Sequence, residues 1–446
     1  MSQDIKLHTR REFLRTSVLG GALTWTVPVF LADTFSAMNA AAKDSAVQTP
    51  TGRDGTILVV LQMAGGNDGI NTVVPYTSDH YFKARPNLAH KPDAVLKLSD
   101  QIGLHPAMKG FKELYDAGQL SVVQGVGYPN PNRSHFRSTE IWATATDEDQ
   151  FERNGWVGRY FDNACPGADP AVGVAVTRQM PQMFWSARGK GICFDNPYTY
   201  KFQSNSHPRA GQPDLTEESY KKLNDVEMAG GGDNSGGSID MLSGGGRPMH
   251  GGRAVDFIER TALDAQVSSD EVRNIAAKVR NSATYPGTQL GTSLKLVAKL
   301  IGGGLPTRVY YVSQGGYDTH TNQVGTQQRL LGDLGDSVKA FTDDLRAQGN
   351  LARVLVMTFS EFGRRVQENA NGGTDHGAAA PLFVIGEKVR AGLQGAYPSL
   401  APGDLFQGDI KYTTDFRSVY AGVLEGWLKT KSVPILGRQF EPLKLV

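Results

Sequence analysis

Thr56-Ile57-Leu58-Val59-Val60-Leu61, closed by Ala64-Gly65-Gly66-Asn67-Asp68-Gly69, is the stretch on which the fold turns. Its unbroken apolar run is that of a strand covered on both faces, as in a parallel sheet, where the usual in–out alternation disappears. The glycine-rich turn marks the strand's carboxyl end, the edge at which open α/β sheets bind ligands.

The same pattern recurs outward from it. His105 to Gly118 predicts a short amphipathic helix, leading to a strand from Leu120. Arg308-Val309-Tyr310-Tyr311-Val312 reads as a strand and is followed by Gly315 to His320. Val324, Leu331, Leu334, Val338, Phe341 and Leu345 then mark one face of a long helix. Strands follow at Val354–Phe359 and from Pro381, separated by the loop Ser360-Glu361-Phe362-Gly363-Arg364. Strand–helix–strand alternation of this kind specifies an α/β three-layer sandwich, a mainly parallel central sheet flanked by helices. A helical pattern is also present at Val255, Ile258, Ala262 and Ala265.

The amino terminus has a different character. Thr9-Arg10-Arg11-Glu12-Phe13-Leu14-Arg15 precedes an apolar stretch from Val18 to Leu31, and small residues cluster between Ser36 and Ala42. The stretch falls short of the ~20 apolar residues that span a bilayer. It resembles a twin-arginine export signal, removed by cleavage. The expected organisation is a signal peptide at 1–42, a linker at 43–55 and one domain at 56–446, with a Gly-rich flexible insertion at 229–253. Ten of the residues 230–252 are glycine, too many for a packed element. The signal implies the twin-arginine translocase as a partner, a periplasmic or extracellular location, and no stable membrane span after cleavage.

With 46 basic and 45 acidic residues the net charge is +1, which gives no electrostatic footprint for nucleic acid. Cys165 and Cys193 could form a disulfide or remain two buried thiols.

Polar clusters fall at the strand ends: Asn67-Asp68, Asn132-Arg133-Ser134-His135, Asp318 to His320, Glu361 with Arg364, and Asp375-His376. Carboxylates and imidazoles gathered along one sheet edge suit a divalent ion such as zinc, manganese or calcium. Each cluster also has a plain structural reading, as turn chemistry at Asn67-Asp68 or helix capping at Ser134 and Asp318.

Taken together, Ala64-Gly65-Gly66-Asn67-Asp68-Gly69, Asn132-Arg133-Ser134-His135-Phe136, Gly316-Tyr317-Asp318-Thr319-His320, Ser360 to Arg364 and Gly373-Thr374-Asp375-His376-Gly377 resemble the bacterial family called domain of unknown function 1501. That family in turn looks like a remote branch of the alkaline phosphatase/sulfatase superfamily. The resemblance implies an alkaline phosphatase-like fold holding one or two divalent metal ions, with Asp68, Asp318, His320, Glu361 and His376 as ligands. It implies Ser134 as nucleophile, Arg133 as a clamp on a nonbridging oxygen, and His135 as a group that positions substrate or protonates the leaving group. His105-Pro106 and the following helix resemble the segment before the superfamily's nucleophile strand. Two departures stand out. Phe362 occupies the place of a ligand histidine, and Pro129 falls at the nucleophile position of the sulfatase pattern, which excludes a formylglycine enzyme.

The activity so implied is metal-dependent hydrolysis of phosphate- or sulfate-type esters, on a small-molecule or glycan substrate of the envelope. The alternatives are a non-catalytic envelope binding or scaffold protein on the same fold, and a metal-dependent transferase acting on envelope glycans. Substrate contacts are expected between about Trp156 and Lys222.

Overall fold

The computed structural model describes Gly52, residues 55–198 and residues 269–446. The expected signal peptide, nearly all of the linker, the glycine-rich insertion and the helix at 255–265 lie outside the described residues.

Among the described residues, nine strands form one sheet: β1 (Ile57–Ala64), β2 (Leu120–Gly127), β3 (Gly173–Ala175), β4 (Ile192–Cys193), β5 (Val309–Gly315), β6 (Val354–Phe359), β7 (Ala380–Ile385), β8 (Gly392–Gln394) and β9 (Thr414–Asp415). Their order is β8-β2-β7-β6-β1-β5-β3-β4, with β9 also on β2. β1 sits at the centre, parallel to both β5 and β6, with Val59 opposite Tyr310 and Val356. Only β7 runs against the rest, antiparallel to β6 and β2. The reason is local: residues 360–379 form a loop without a crossover helix, so the chain turns back beside β6 instead of crossing a face.

Helices cover both faces. They are α1 (Gly69–Thr72), α2 (Asp79–Ala84), α3 (Lys109–Asp116), α4 (His135–Thr144), α5 (Trp156–Ala164), α6 (Gln289–Gly302), α7 (Gln323–Ala347), α8 (Phe416–Gly422) and the single turn α9 (Val433–Leu436). On β1, Ile57, Val59, Leu61 and Met63 join the core under α3, α6 and α7. Leu58 and Val60 join the opposite core, under α4, α5 and α8. This period-2 division, with both halves apolar, is why the strand's sequence shows no alternation. Each such side chain contributes ~1.5–3 kcal/mol by leaving water, so β1 anchors the three layers.

Cys165 and Cys193 are both free thiols. No helix of the described residues is long and apolar enough to cross a membrane.

Candidate metal centre

The carboxyl ends of β1, β5 and β6 meet at two glycines. Gly65 has φ +120°, and a Cβ there would come within 2.5 Å of the Asp318 amide nitrogen. Gly66 has φ +73°, and its Cβ would strike the Phe362 ring at 2.2 Å. Only glycine permits this backbone and this approach. The turns after β1, β5 and β6 therefore pack directly on one another.

Arg364 fastens them. Its guanidinium is fully buried and donates to the carbonyls of Gly65, Gly66, Tyr317 and Thr374 and to Asp318 Oδ1 at 2.5–3.1 Å. Burial works against ionisation of Asp318, but the hydrogen bonds of Arg364 and His376 and the Arg364 charge outweigh it and hold the carboxyl at about 2. Asp318 is thus a carboxylate at any physiological pH.

Three histidines converge on that carboxylate. His376 Nε2 and His320 Nε2 each lie 3.1 Å from Oδ1, and His135 Nε2 lies 3.5 Å from Oδ2. The ligand atoms of His135, Asp318 and His376 all fall within 4.8 Å of one another.

The other nitrogen of each ring has an acceptor. His376 Nδ1 donates to the Arg133 carbonyl at 2.8 Å, and His320 Nδ1 to Asp375 Oδ1 at 3.1 Å. His135 Nδ1 donates to Glu361 Oε1 at 2.9 Å, an oxygen that also accepts the Gly65 N–H. A carbonyl or carboxylate can only accept, so each ring donates from Nδ1, and its Nε2 either carries a second proton toward Asp318 or turns a lone pair inward to a cation. His320 Nε2 and His376 Nε2 are then 2.9 Å apart. Two lone pairs do not face each other at that separation without a cation or a proton between them. Imidazoles held from behind by carboxylates and carbonyls, plus one carboxylate, make the donor set of a first-row divalent ion. The residues fit a metal.

The expected groups divide as follows. Asp318, His320 and His376 come together, and His135 joins them as a further imidazole. Glu361 is brought to the cluster, but its ordered oxygen faces His135 Nδ1, so it orients a ligand. Its Oε2 is buried without a hydrogen-bond partner. Asp68 stands apart from the expected ligand role. Oδ1 caps α1 through the Ile70 and Asn71 amides, and Oδ2 accepts from Arg85 and Gln323, so no lone pair is left for a metal. Arg133 is not a ready clamp either, because Nε and Nη2 bind Asp409 Oδ2 at 2.9 and 2.6 Å. Ser134 is exposed at the N-cap of α4, where its hydroxyl makes no capping bond.

Asp375 and Arg364 take parts that their positions in the sequence did not reveal. Asp375 follows Thr374 and precedes His376, yet it serves His320. Hydrogen bonding by Asn369 and His320 outweighs burial and keeps its carboxyl below the usual range. Phe362, conspicuous as a departure, packs on both His135 and His376 with ring centres 4.9 and 4.6 Å apart. It packs against two of the three converging imidazoles and limits their movement.

The profile of a family described as "Protein of unknown function (DUF1501)" matches residues 254–434, the span that carries Asp318, His320, Glu361, Asp375 and His376. No curated protein is recognisably similar in sequence. Among solved structures, the chain is similar to the PsFucS1 sulfatase from Pseudoalteromonas sp. at 9% identity and a TM-score of 0.32, over 87% of this chain and 74% of that one. For alkaline phosphatase from the Antarctic bacterium TAB5 the values are 11% and 0.30, over 75% and 92%. For the phosphonate monoester hydrolase SpPMH from Silicibacter pomeroyi they are 12% and 0.30, over 88% and 78%. Likenesses this distant assign neither substrate nor chemistry to this chain. Over residues 254–434, less than half of its length, the chain is similar to the DUF1501 family.

Proposed function

We propose that this chain is an exported, metal-dependent hydrolase of phosphate- or sulfate-type esters carried by an envelope or extracellular substrate. The observation that carries the reading is the set of three histidines, each with Nδ1 occupied, turned on the Asp318 carboxylate. A divalent ion held by His135, Asp318, His320 and His376 would supply Lewis acidity toward an ester oxygen. The chain supplies the surroundings. His135 is the first residue of α4, so that helix presents the unpaired amides of its first turn, and its positive end, beside the cluster. An anionic ester group suits that place. Ser134, adjacent and exposed, is the hydroxyl offered as nucleophile. Export rests on the twin-arginine pattern at Thr9–Arg15.

Mature protein purified without added chelator is expected to hold at least one equivalent of a divalent ion and to cleave p-nitrophenyl phosphate or sulfate, with EDTA abolishing both. Correctly folded protein that takes up no zinc, manganese or calcium would sink the proposal. The commitment of Arg133 to Asp409 favours a second reading, a metal-dependent binding protein without turnover. Bound metal with no cleavage of either ester, in the wild type as in Ser134→Ala, would select that one.

Asp375→Asn tests the support behind the ligands. It keeps the shape of the side chain but weakens its hold on the His320 Nδ1–H. Divalent-ion affinity is expected to fall ~10–100-fold, with unfolding unchanged because Asp375 is exposed. Competition titration against a chelating dye reads the effect.

A further inference from the structure

Beside the metal centre lies a cavity of about 560 Å³, within the ~300–1,000 Å³ typical of small-molecule sites. Its position follows from the strand period. On the α4 face of the sheet, β1 presents Leu58 and Val60 to the core, and the next residue in that register is Gln62. β5 presents Val309 and Tyr311, then Ser313. The apolar face thus turns polar as it nears the carboxyl edge, and these residues line the cavity.

Each wall leads to the metal centre. Gln62 precedes Gly65, whose amide holds Glu361. Gly315 leads into Asp318, and Phe359 lies two residues before Glu361. Thr139 is one turn along α4 from His135, on the same side of the helix.

The lining mixes neutral polar groups with apolar side chains. Gln62, Gln179, Gln182 and Gln289 contribute amides, and Thr139 and Ser313 contribute hydroxyls. Met180 and Pro181 give an apolar side, and Arg178 is the one charged residue of the lining. Tyr311 donates to Gln62 Oε1 at 2.5 Å, which leaves the Gln62 NH₂ as a donor. Gln182 Nε2 donates to the Glu152 carbonyl at 3.3 Å, which leaves its oxygen as an acceptor. The wall therefore offers at least one free donor, at Gln62, and one free acceptor, at Gln182. A purely apolar ligand would leave those amides without partners. An anion would find a single cation. A group that donates and accepts at every position satisfies the wall, and a polyol does so at each hydroxyl.

We infer that this cavity binds a neutral sugar residue, the part of the substrate that bears the ester cleaved at the metal centre. The inference rests on the hydrolase reading for what the sugar carries, but sugar binding itself does not require the metal.

The test is saturation-transfer NMR of the full mature protein with lactose, maltose, cellobiose and N,N′-diacetylchitobiose, before and after EDTA treatment. Transfer to at least one of them is expected in both states. Binding should weaken at least ~10-fold in Gln182→Ala/Gln289→Ala, the loss of one or two hydrogen bonds. Gln289 is exposed and Gln182 half-buried, so the double variant is expected to fold and to keep its metal. Ser313→Phe, which fills the space directly, should abolish transfer. Absence of transfer to all four sugars, or transfer undiminished in the variants, overturns the inference. Preferential binding of galacturonate, lost in Arg178→Ala, overturns the assignment of a neutral ligand. Ester turnover without sugar binding removes this inference alone, and sugar binding by a protein that takes up no metal removes the hydrolase reading alone.

Discussion

Asp318→Ala is expected to empty the metal centre while leaving the protein folded. Asp318 supplies the one carboxylate that faces all three inward nitrogens. Outer partners such as Asp375 cost ~10–100-fold when lost, and removal of an anionic ligand should exceed that, so that dialysed protein retains no ion. The fold should tolerate the change. The Asp318 side chain is about half exposed, at 47%, and Arg364 keeps four carbonyl acceptors without it. His376→Ala should act in the same way, because His376 touches Asp318, His320 and His135 at once. Elemental analysis beside thermal unfolding checks both variants. Ion retained at wild-type stoichiometry in either would mean that the ligand set is a different one.

Asp68→Asn should do the reverse, destabilising the fold while sparing the metal. Asp68 and Arg85 form an ion pair with both side chains fully buried. Removing one charge of a buried pair leaves the other uncompensated, at ~3–5 kcal/mol. Arg85 also donates to the Val366 and Arg365 carbonyls, so it has no path to solvent. The asparagine keeps an oxygen for the Ile70 and Asn71 amides, which isolates the charge from the cap. The denaturant midpoint should fall in proportion, with the metal content per folded molecule unchanged. Lost metal at full stability would instead return Asp68 to the ligand set.

Asp68 also marks where sequence reading reaches its limit. An aspartate in a turn after the first buried strand looks the same whether it meets a metal or an arginine. The decisive partner, Arg85, is 17 residues on, at a spacing with no period to betray it. The strands were legible because a backbone buried on two faces needs an apolar run, which β6 keeps over nearly its whole length and β1 and β5 keep until their carboxyl ends. The direction of β7 was not, since Ala380–Ile385 would read alike in either sense and the missing crossover helix alone decides it. The convergence of Asp318, His320 and His376 could be anticipated from strand ends sharing one edge. The face that each ring presents could not. His376 is oriented by the Arg133 carbonyl, a backbone atom that every residue type carries.

Arg364 has a consequence for the order of events in the life of the chain. Its five acceptors include carbonyls 298 and 299 residues away, and His135 reaches Glu361 across 226. Contacts so remote carry a large loop-closure entropy, which the pairing of the strands offsets. A nascent or half-folded chain has isolated histidines but no pocket of four, and so nothing with which to trap a stray ion. An ion held at this centre would thereby be loaded only by a finished molecule, and its identity would be set by the compartment that molecule occupies when it finishes.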